Sequence, residues 1–115
     1  MSVFDYTILT RLLADDRIAF KRHALIRMQQ RHIRADDVKA MLQASEVIEH
    51  YDHDHPLPSV LLLGMTPKQR ALHAVVAVDP DGDGMVWVIT VYEPDQLNWQ
   101  PDLRTRRDRH VVSIM

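Results

Sequence analysis

The chain has 115 residues and a formal net charge of −2, and its 46% hydrophobic and 26% charged residues are typical of one globular domain. It contains no cysteine, which excludes disulfides, thiolate metal sites and cysteine nucleophiles. From this length and composition we expect a single domain over residues 1–115. With no secretory signal and no long apolar run, the sequence predicts a cytoplasmic protein that does not contact membranes, and it leaves the oligomeric state open.

Three amphipathic helices are predicted in the first part of the chain. Each has an apolar stripe at helical spacing, and Asp5 or Thr7 is suited to cap the first helix. A short extended segment, "RIAF", lies between the first and second helices. The stripes consist of Ile8, Leu9, Leu12 and Leu13, then Ala24, Leu25 and Met28, then Val38, Met41 and Leu42.

Extended segments are predicted after the third helix. "EVIEHYD" alternates like a half-buried strand, whereas "PSVLLLGM", "ALHAVVAV" and "MVWVITVY" are continuously apolar and rich in β-branched residues. "DPDGDG" supplies a tight turn between the last two. We expect an α+β fold, with N-terminal helices packed on one face of an antiparallel sheet of about four strands.

Charge is unevenly distributed along the chain. Residues 15–34 contain six basic and two acidic residues, and residues 36–55 contain six acidic and one basic. Residues 102–109 contain four arginines and two aspartates. Local basic patches can attract phosphate groups although the total charge is negative.

The most regular cationic pattern lies on the second predicted helix. His23, Arg27 and Arg31 follow one another at steps of four, which places them on one helix face beside the apolar stripe. This face is either a solvated edge or an anion-binding site between the helix and the sheet. His73 and Tyr92 are candidates from the strand side, although a histidine in an apolar strand is commonly a hydrogen-bonded core residue. Their relative orientation depends on the strand register.

Two patterns invite a metal interpretation. "DPDGDG" matches the first half of a calcium loop, but Thr90 occupies the twelfth position, where a bidentate glutamate belongs, so a hairpin turn is favoured. His50, His53 and His55 have no clear additional ligand. We therefore predict no cofactor and no resident metal ion. In "EPDQLNW", Trp99 is predicted to pack as a lid on the core, with base stacking as the alternative.

Four segments together resemble a bacterial family, the domain of unknown function 4258. "HALIRMQQRHIRADDV", "PSVLLLG", "LHAVVAV" and "ITVYEPDQLNW" occur in the order of that family's motifs and span about residues 20–107. His32 stands where the family usually has glycine, and Arg34 and Ala35 stand where a serine would cap the third helix. The first helix lies outside the resemblance.

The resemblance implies a function, because this family is similar in architecture to RelE-like ribonuclease toxins, which are often encoded beside an antitoxin. The implied activity is metal-independent cleavage of RNA, with an antitoxin protein encoded nearby as a partner. Such cleavage needs groups that exchange protons and cations that stabilise the phosphate. His23 or His73 could exchange protons, Arg27 and Arg31 could clamp the phosphate, and Tyr92 could act as a weak acid or a stacking surface.

These roles lead to a first mutational prediction. Replacing Arg27 with alanine is expected to weaken RNA binding about ten- to hundredfold and to leave the fold intact. The alternative function is that of a non-catalytic protein-binding module.

Overall fold

The computed structural model describes residues 4–79 and 84–107. Within them the chain forms a mixed α+β fold of three helices and a five-stranded sheet, which confirms the predicted fold class in its general form. The elements are α1 (Tyr6–Ala14), β1 (Ile18–Phe20), α2 (Arg22–Gln30), α3 (Ala35–Gln43), β2 (Glu46–Tyr51), β3 (Ser59–Met65), β4 (Ala71–Val78) and β5 (Val86–Tyr92).

The sheet corrects the predicted strand count. Its spatial order is β1-β5-β4-β3-β2, with β2 to β5 antiparallel as expected, but β1 adds a fifth strand parallel to β5. The sheet is therefore mixed, and the helices do not all precede it, since β1 separates α1 from α2. β1 has only three residues, paired from Ile18 with Val86 to Phe20 with Val88, and so short a segment shows no recognisable period.

The register between β4 and β5 settles the orientation of two candidate residues. His73 pairs directly with Tyr92, so both side chains project from the same face of the sheet. A β-bulge between Val75 and Val76 shifts the register farther along the pair. Residues 80–83 of the predicted turn lie outside the described residues, whereas the antiparallel pairing of the two strands is confirmed.

The three helices pack against one face of the sheet and form a single hydrophobic core with it. Val60, Leu62 and Ala74 belong to this face and are almost completely buried. The main chains approach closely where α3 crosses β3, because a Cβ atom on Gly64 would lie 2.4 Å from the carbonyl oxygen of Met41. Glycine is therefore required at this crossing.

Part of the opposite face of the sheet is covered by residues 93–107, which we call the C-terminal strap. Ion pairs tie the strap to the far edge strand β2, Arg104 with Glu46 and Arg106 with Glu49. Underneath the strap, Leu61 and His73 have no exposed surface. β3 and β4 are buried on both faces over most of their length, which explains why these two strands read as continuously apolar.

The helix ends show one predicted cap and the two places where the sequence departs from the family pattern. Asp5 caps α1 as predicted, and its carboxylate accepts a hydrogen bond from the amide of Ile8 at 3.0 Å. His32 has a φ of 57°, a left-handed conformation in which glycine carries no steric penalty. Arg34 precedes α3 without a side-chain capping bond, so a serine at this position would supply a contact that is missing here.

Candidate functional site

A cleft of about 480 Å³ opens where the ends of α2 and β5 meet the C-terminal strap. We call it the Tyr92 cleft. It brings together two of the five candidate site residues, Arg31 and Tyr92. The cleft is lined by Arg31, Tyr92, Glu93, Asp95, Asn98, Trp99 and Arg106.

A third candidate, His73, lies directly behind Tyr92. Its Nδ1 is 3.1 Å from the Tyr92 hydroxyl, and its Nε2 is 2.6 Å from the carbonyl oxygen of Leu103 in the strap. Because a carbonyl oxygen can only accept, Nε2 carries the proton in the neutral ring, and Nδ1 accepts a hydrogen bond from the tyrosine. The histidine is therefore a satisfied, buried residue that also reaches the cleft through Tyr92.

Burial sets the protonation states of this pair. It lowers the pKa of His73, which favours the neutral imidazole, and it raises the pKa of Tyr92, which favours the neutral phenol. Leu103 has a φ of 61°, and this uncommon backbone conformation accompanies the turn that directs its carbonyl toward the imidazole. The strap thus fixes the tautomer of His73, whose Nδ1 accepts from Tyr92, one of the residues that line the cleft.

Trp99, a residue of the strap, packs its ring on the buried His73, as the sequence predicts. Its ring is perpendicular to His73 with the centroids 4.5 Å apart, and the guanidinium of Arg106 lies 4.6 Å from its centroid. The carboxylate of Asp95 accepts hydrogen bonds from the amides of Leu97 and Asn98 and so stabilises the turn leading to the tryptophan. With 3% of its surface exposed, Trp99 has no ring face available to stack on a base.

Arg106 is held in place by a carboxylate below it. Its Nε and Nη2 donate to the two carboxylate oxygens of Glu49 at 2.7 and 3.0 Å, and the Tyr51 hydroxyl donates to the same carboxylate. Burial alone would raise the pKa of Glu49, but these hydrogen bonds lower it. Burial and the bond to Glu49 raise the pKa of Tyr51 to about 12. The carboxylate stays ionised and orients the guanidinium beside the cleft.

The other wall of the cleft is anchored to the end of α2. Arg31 donates through Nη1 to the carbonyl oxygen of Val91 at 2.7 Å, which ties the helix end to β5. Arg70 binds the carboxylate of Glu93 through two hydrogen bonds and also donates to the carbonyl oxygens of Arg31 and His32. The Arg70 hydrogen bond lowers the pKa of Glu93. This carboxylate is thus neutralised by its partner at the edge of the cleft.

His23 and Arg27, the remaining two candidates, are exposed on α2 and are not among the residues that line the cleft. Along the helix axis, Arg27 is about 6 Å and His23 about 12 Å from the position of Arg31. The stripe therefore reaches the cleft only at Arg31, and His23 and Arg27 lie on a solvated edge, which was the alternative interpretation of this face.

Sequence reasoning overlooked Arg106 and Glu49. The signal was present in the uneven charge, because the acidic stretch that includes Glu46 and Glu49 pairs with the arginines at positions 104 and 106. Arg104 and Arg106 are alternate residues, as in an extended chain, but Glu46 and Glu49 are three apart with a register shift between Val47 and Glu49, so spacing alone did not predict the pairing.

The described residues also bear on metal and membrane binding. No group of three or more His, Cys, Asp or Glu side chains among residues 4–79 and 84–107 is placed to hold a metal ion. His50 instead contacts the Tyr6 hydroxyl, with a distance of 2.8 Å to its Nδ1. None of the helices in the described part of the chain is long and apolar enough to cross a membrane.

Comparison with known proteins identifies a family. No curated protein and no solved structure matches the chain. The family model described as "Domain of unknown function (DUF4258)" matches residues 20–93, which include α2 with its basic stripe, the strands β2 to β5 and both His73 and Tyr92. The chain therefore belongs to the DUF4258 family.

Proposed function

We propose that the protein is a toxin-like ribonuclease that cleaves RNA without a metal ion in the Tyr92 cleft, and that it is paired with an antitoxin encoded nearby. The observation that carries the proposal is the buried His73 hydrogen-bonded to the hydroxyl of Tyr92 at the cleft surface, with two arginines among the lining residues. Acid–base groups beside cations are what phosphodiester cleavage requires.

The pair of residues can accept a proton from the ribose. In the proposed step the 2′-oxygen attacks phosphorus, its proton passes to the Tyr92 oxygen, and the tyrosine's own proton passes to Nδ1 of His73. The bond between phosphorus and the 5′-oxygen breaks, and that oxygen takes a proton from water. The products are a 2′,3′-cyclic phosphate and a 5′-hydroxyl, and the imidazolium returns its proton to solvent by the reverse route.

The two arginines are suited to hold the phosphate. Within the described contacts, Arg31 uses only Nη1 on the protein, and Arg106 uses Nε and Nη2. Each guanidinium has further N–H groups that can donate to phosphate oxygens. Arg106 is also kept in position by Glu49 and Trp99, so it loses little side-chain freedom on binding.

The test compares Arg31→Ala with Arg27→Ala. Loss of charge-assisted hydrogen bonds worth about 1.5–3 kcal/mol should make Arg31→Ala bind a short RNA about ten- to hundredfold more weakly. Arg27 is exposed and does not line the cleft, so the loss that the sequence predicts for Arg27→Ala is now expected for Arg31→Ala. Arg27→Ala should have a smaller effect and serves as the matched control. Expression of the parent in a bacterium should arrest growth and degrade RNA, and expression of Arg31→Ala should not. RNA binding and growth unaffected by both substitutions would refute the proposal.

A second candidate function, a non-catalytic protein-binding module, is favoured by one observation. α2 exposes about half of Leu25 and two fifths of Ile26, and Leu25 lines a shallow groove with Met28 and Ile33. Exposed apolar side chains beside a groove are typical of protein contacts. Harmless expression, together with loss of a partner on Leu25→Ser substitution, would favour this function.

A further inference from the structure

A second pocket lies on the same face of the sheet as the Tyr92 cleft, at the opposite end of β4 and β5. We call it the Trp87 pocket. It has a volume of about 220 Å³, with walls that are mainly apolar. The lining residues are Lys21, Asp54, His55, Pro56, Leu57, Ala77, Trp87 and Ile89. None of them belongs to the Tyr92 cleft.

The pocket combines an aromatic ring with a cation. The ammonium group of Lys21 lies 4.5 Å from the centroid of the half-buried Trp87 ring. Lys21 is held at the start of α2 because its amide donates to the carbonyl oxygen of Val88 at 2.9 Å. An aromatic surface for a base and a cation for a phosphate are the two elements that bind single-stranded nucleic acids.

The other wall is formed by the loop between β2 and β3. Asp54 anchors this loop, since its carboxylate accepts a hydrogen bond from the Ser59 hydroxyl at 2.5 Å. Pro56 and Leu57 add apolar surface facing the sheet. A carboxylate can only accept, so it favours a ligand that carries N–H groups, as the edge of a nucleobase does.

The distance between the two sites fits one strand of RNA. Trp87 and Tyr92 are five residues apart on β5, about 15 Å at the rise of an extended chain. Ile89 and Thr90 lie between them on the half-buried surface of the strand. Single-strand binding surfaces extend over several nucleotides, so a short segment can contact both sites.

From these features we propose that the Trp87 pocket binds a nucleobase of the RNA strand whose phosphate occupies the Tyr92 cleft. This inference rests on the proposed ribonuclease function and adds a substrate-binding subsite to it. The base packs on Trp87, its polar edge faces Asp54, and Lys21 neutralises a neighbouring phosphate.

Nuclear magnetic resonance can observe the two sites separately, because the chain has two tryptophans, one in each. The indole N–H signals are assigned with the variants Trp87→Phe and Trp99→Phe. We expect adenosine to shift the Trp87 signal alone, inorganic phosphate to shift the Trp99 signal more than the Trp87 signal, and a tetra-adenylate RNA to shift both.

Binding of the tetranucleotide provides the quantitative test. Trp87→Ala should weaken it about five- to hundredfold, as expected for the loss of one stacked base. Trp87→Phe should retain most of the affinity, and Leu97→Ala, at an exposed strap residue, should not change it. If Trp87→Ala fails to fold, Lys21→Met tests the same pocket without removing its ring, and it should also weaken binding.

The outcomes separate the two proposals. If phosphate shifts Trp99 but adenosine leaves Trp87 unchanged, and both pocket variants bind RNA like the parent, the pocket inference is wrong and the cleft proposal stands. If adenosine shifts Trp87 but neither phosphate nor RNA affects Trp99, the pocket is supported as a base-binding site and the ribonuclease proposal falls.

Discussion

Replacing His73 should change how the stability of the protein depends on pH. Burial lowers the pKa of His73 in the folded protein below the value near 6.5 expected for the unfolded chain. As pH falls, His73 therefore binds a proton in the unfolded chain at a higher pH than in the folded protein. This proton binding favours the unfolded chain. The stability that the protein gains from a neutral His73 is fully present above about pH 6.5. It decreases as pH falls further, until His73 is protonated in the folded protein as well.

The magnitude follows from proton linkage. The free energy of unfolding should fall by at most about 1.4 kcal/mol per pH unit for this one group, which is up to about 2 kcal/mol between pH 7 and pH 5. For a domain of this size the melting temperature should drop by about 3–6 °C per kcal/mol. The nearby Glu49 attracts the imidazolium and Arg106 repels it, so their opposing effects leave burial as the dominant cause.

Thermal and urea unfolding of His73→Gln at several pH values provide the assay. The variant should be less stable than the parent at pH 7, because the Tyr92 hydroxyl and the Leu103 carbonyl lose their imidazole partner. Its stability should also vary less between pH 7 and pH 5. His23→Gln, at an exposed histidine, is the matched control for the loss of an imidazole as such. An identical pH dependence in the parent and His73→Gln would refute the assignment of a neutral, buried histidine.

Three further predictions concern the packing of Gly64, the backbone conformation of His32 and the ion pair of Arg106. Gly64→Ala should lower the free energy of unfolding by about 1–3 kcal/mol, because the added Cβ would overlap the Met41 carbonyl. Met65→Ala, at the exposed neighbouring residue, should be nearly neutral, and equal melting temperatures of the two variants would contradict this prediction. His32→Gly should raise stability by up to about 1 kcal/mol, since φ is positive there, and a loss of stability would show that the His32 side chain matters more than the backbone. Arg106→Ala should lower the free energy of unfolding by only about 1 kcal/mol or less, because its ion pair with Glu49 is partly exposed. The same substitution should weaken RNA binding at least tenfold. Unchanged RNA binding would show that Arg106 is not part of the site.

The sequence predicts the helices and the long strands well because their hydrophobic periods are strong. The apolar stripes became buried except at Leu25, which is about half exposed, and β4 and β5 pair as the apolar runs indicated. β1 was missed as a sheet strand because three residues carry almost no hydrophobic period. Its partner strand β5 is also distant in sequence, since Ile18 pairs with Val86, 68 residues later. Parallel pairing over such a separation has no local signal.

The candidate site was harder to predict because it depends on register and on the strap. One residue of slip would have placed His73 on the helix side, so its contact with Tyr92 could not be derived from spacing alone. The strap has little regular structure, and the positions of Trp99, Leu103 and Arg106 follow from tertiary contacts across the sheet. The helical spacing of four identified Arg31 correctly as a neighbour of the sheet, but spacing does not show how far along a helix a cleft extends.

The most direct test of the central claim is the rate at which the purified protein cleaves RNA in the presence of a metal chelator. We expect the parent to cut a single-stranded RNA into products ending in 2′,3′-cyclic phosphate and to leave the 2′-deoxy counterpart intact. Tyr92→Phe, with its folding checked by thermal unfolding, should be slower by about 10²- to 10⁴-fold because the proton path to His73 is interrupted. Cleavage by Tyr92→Phe at the parent's rate, or the absence of metal-free cleavage by the parent, would contradict the account.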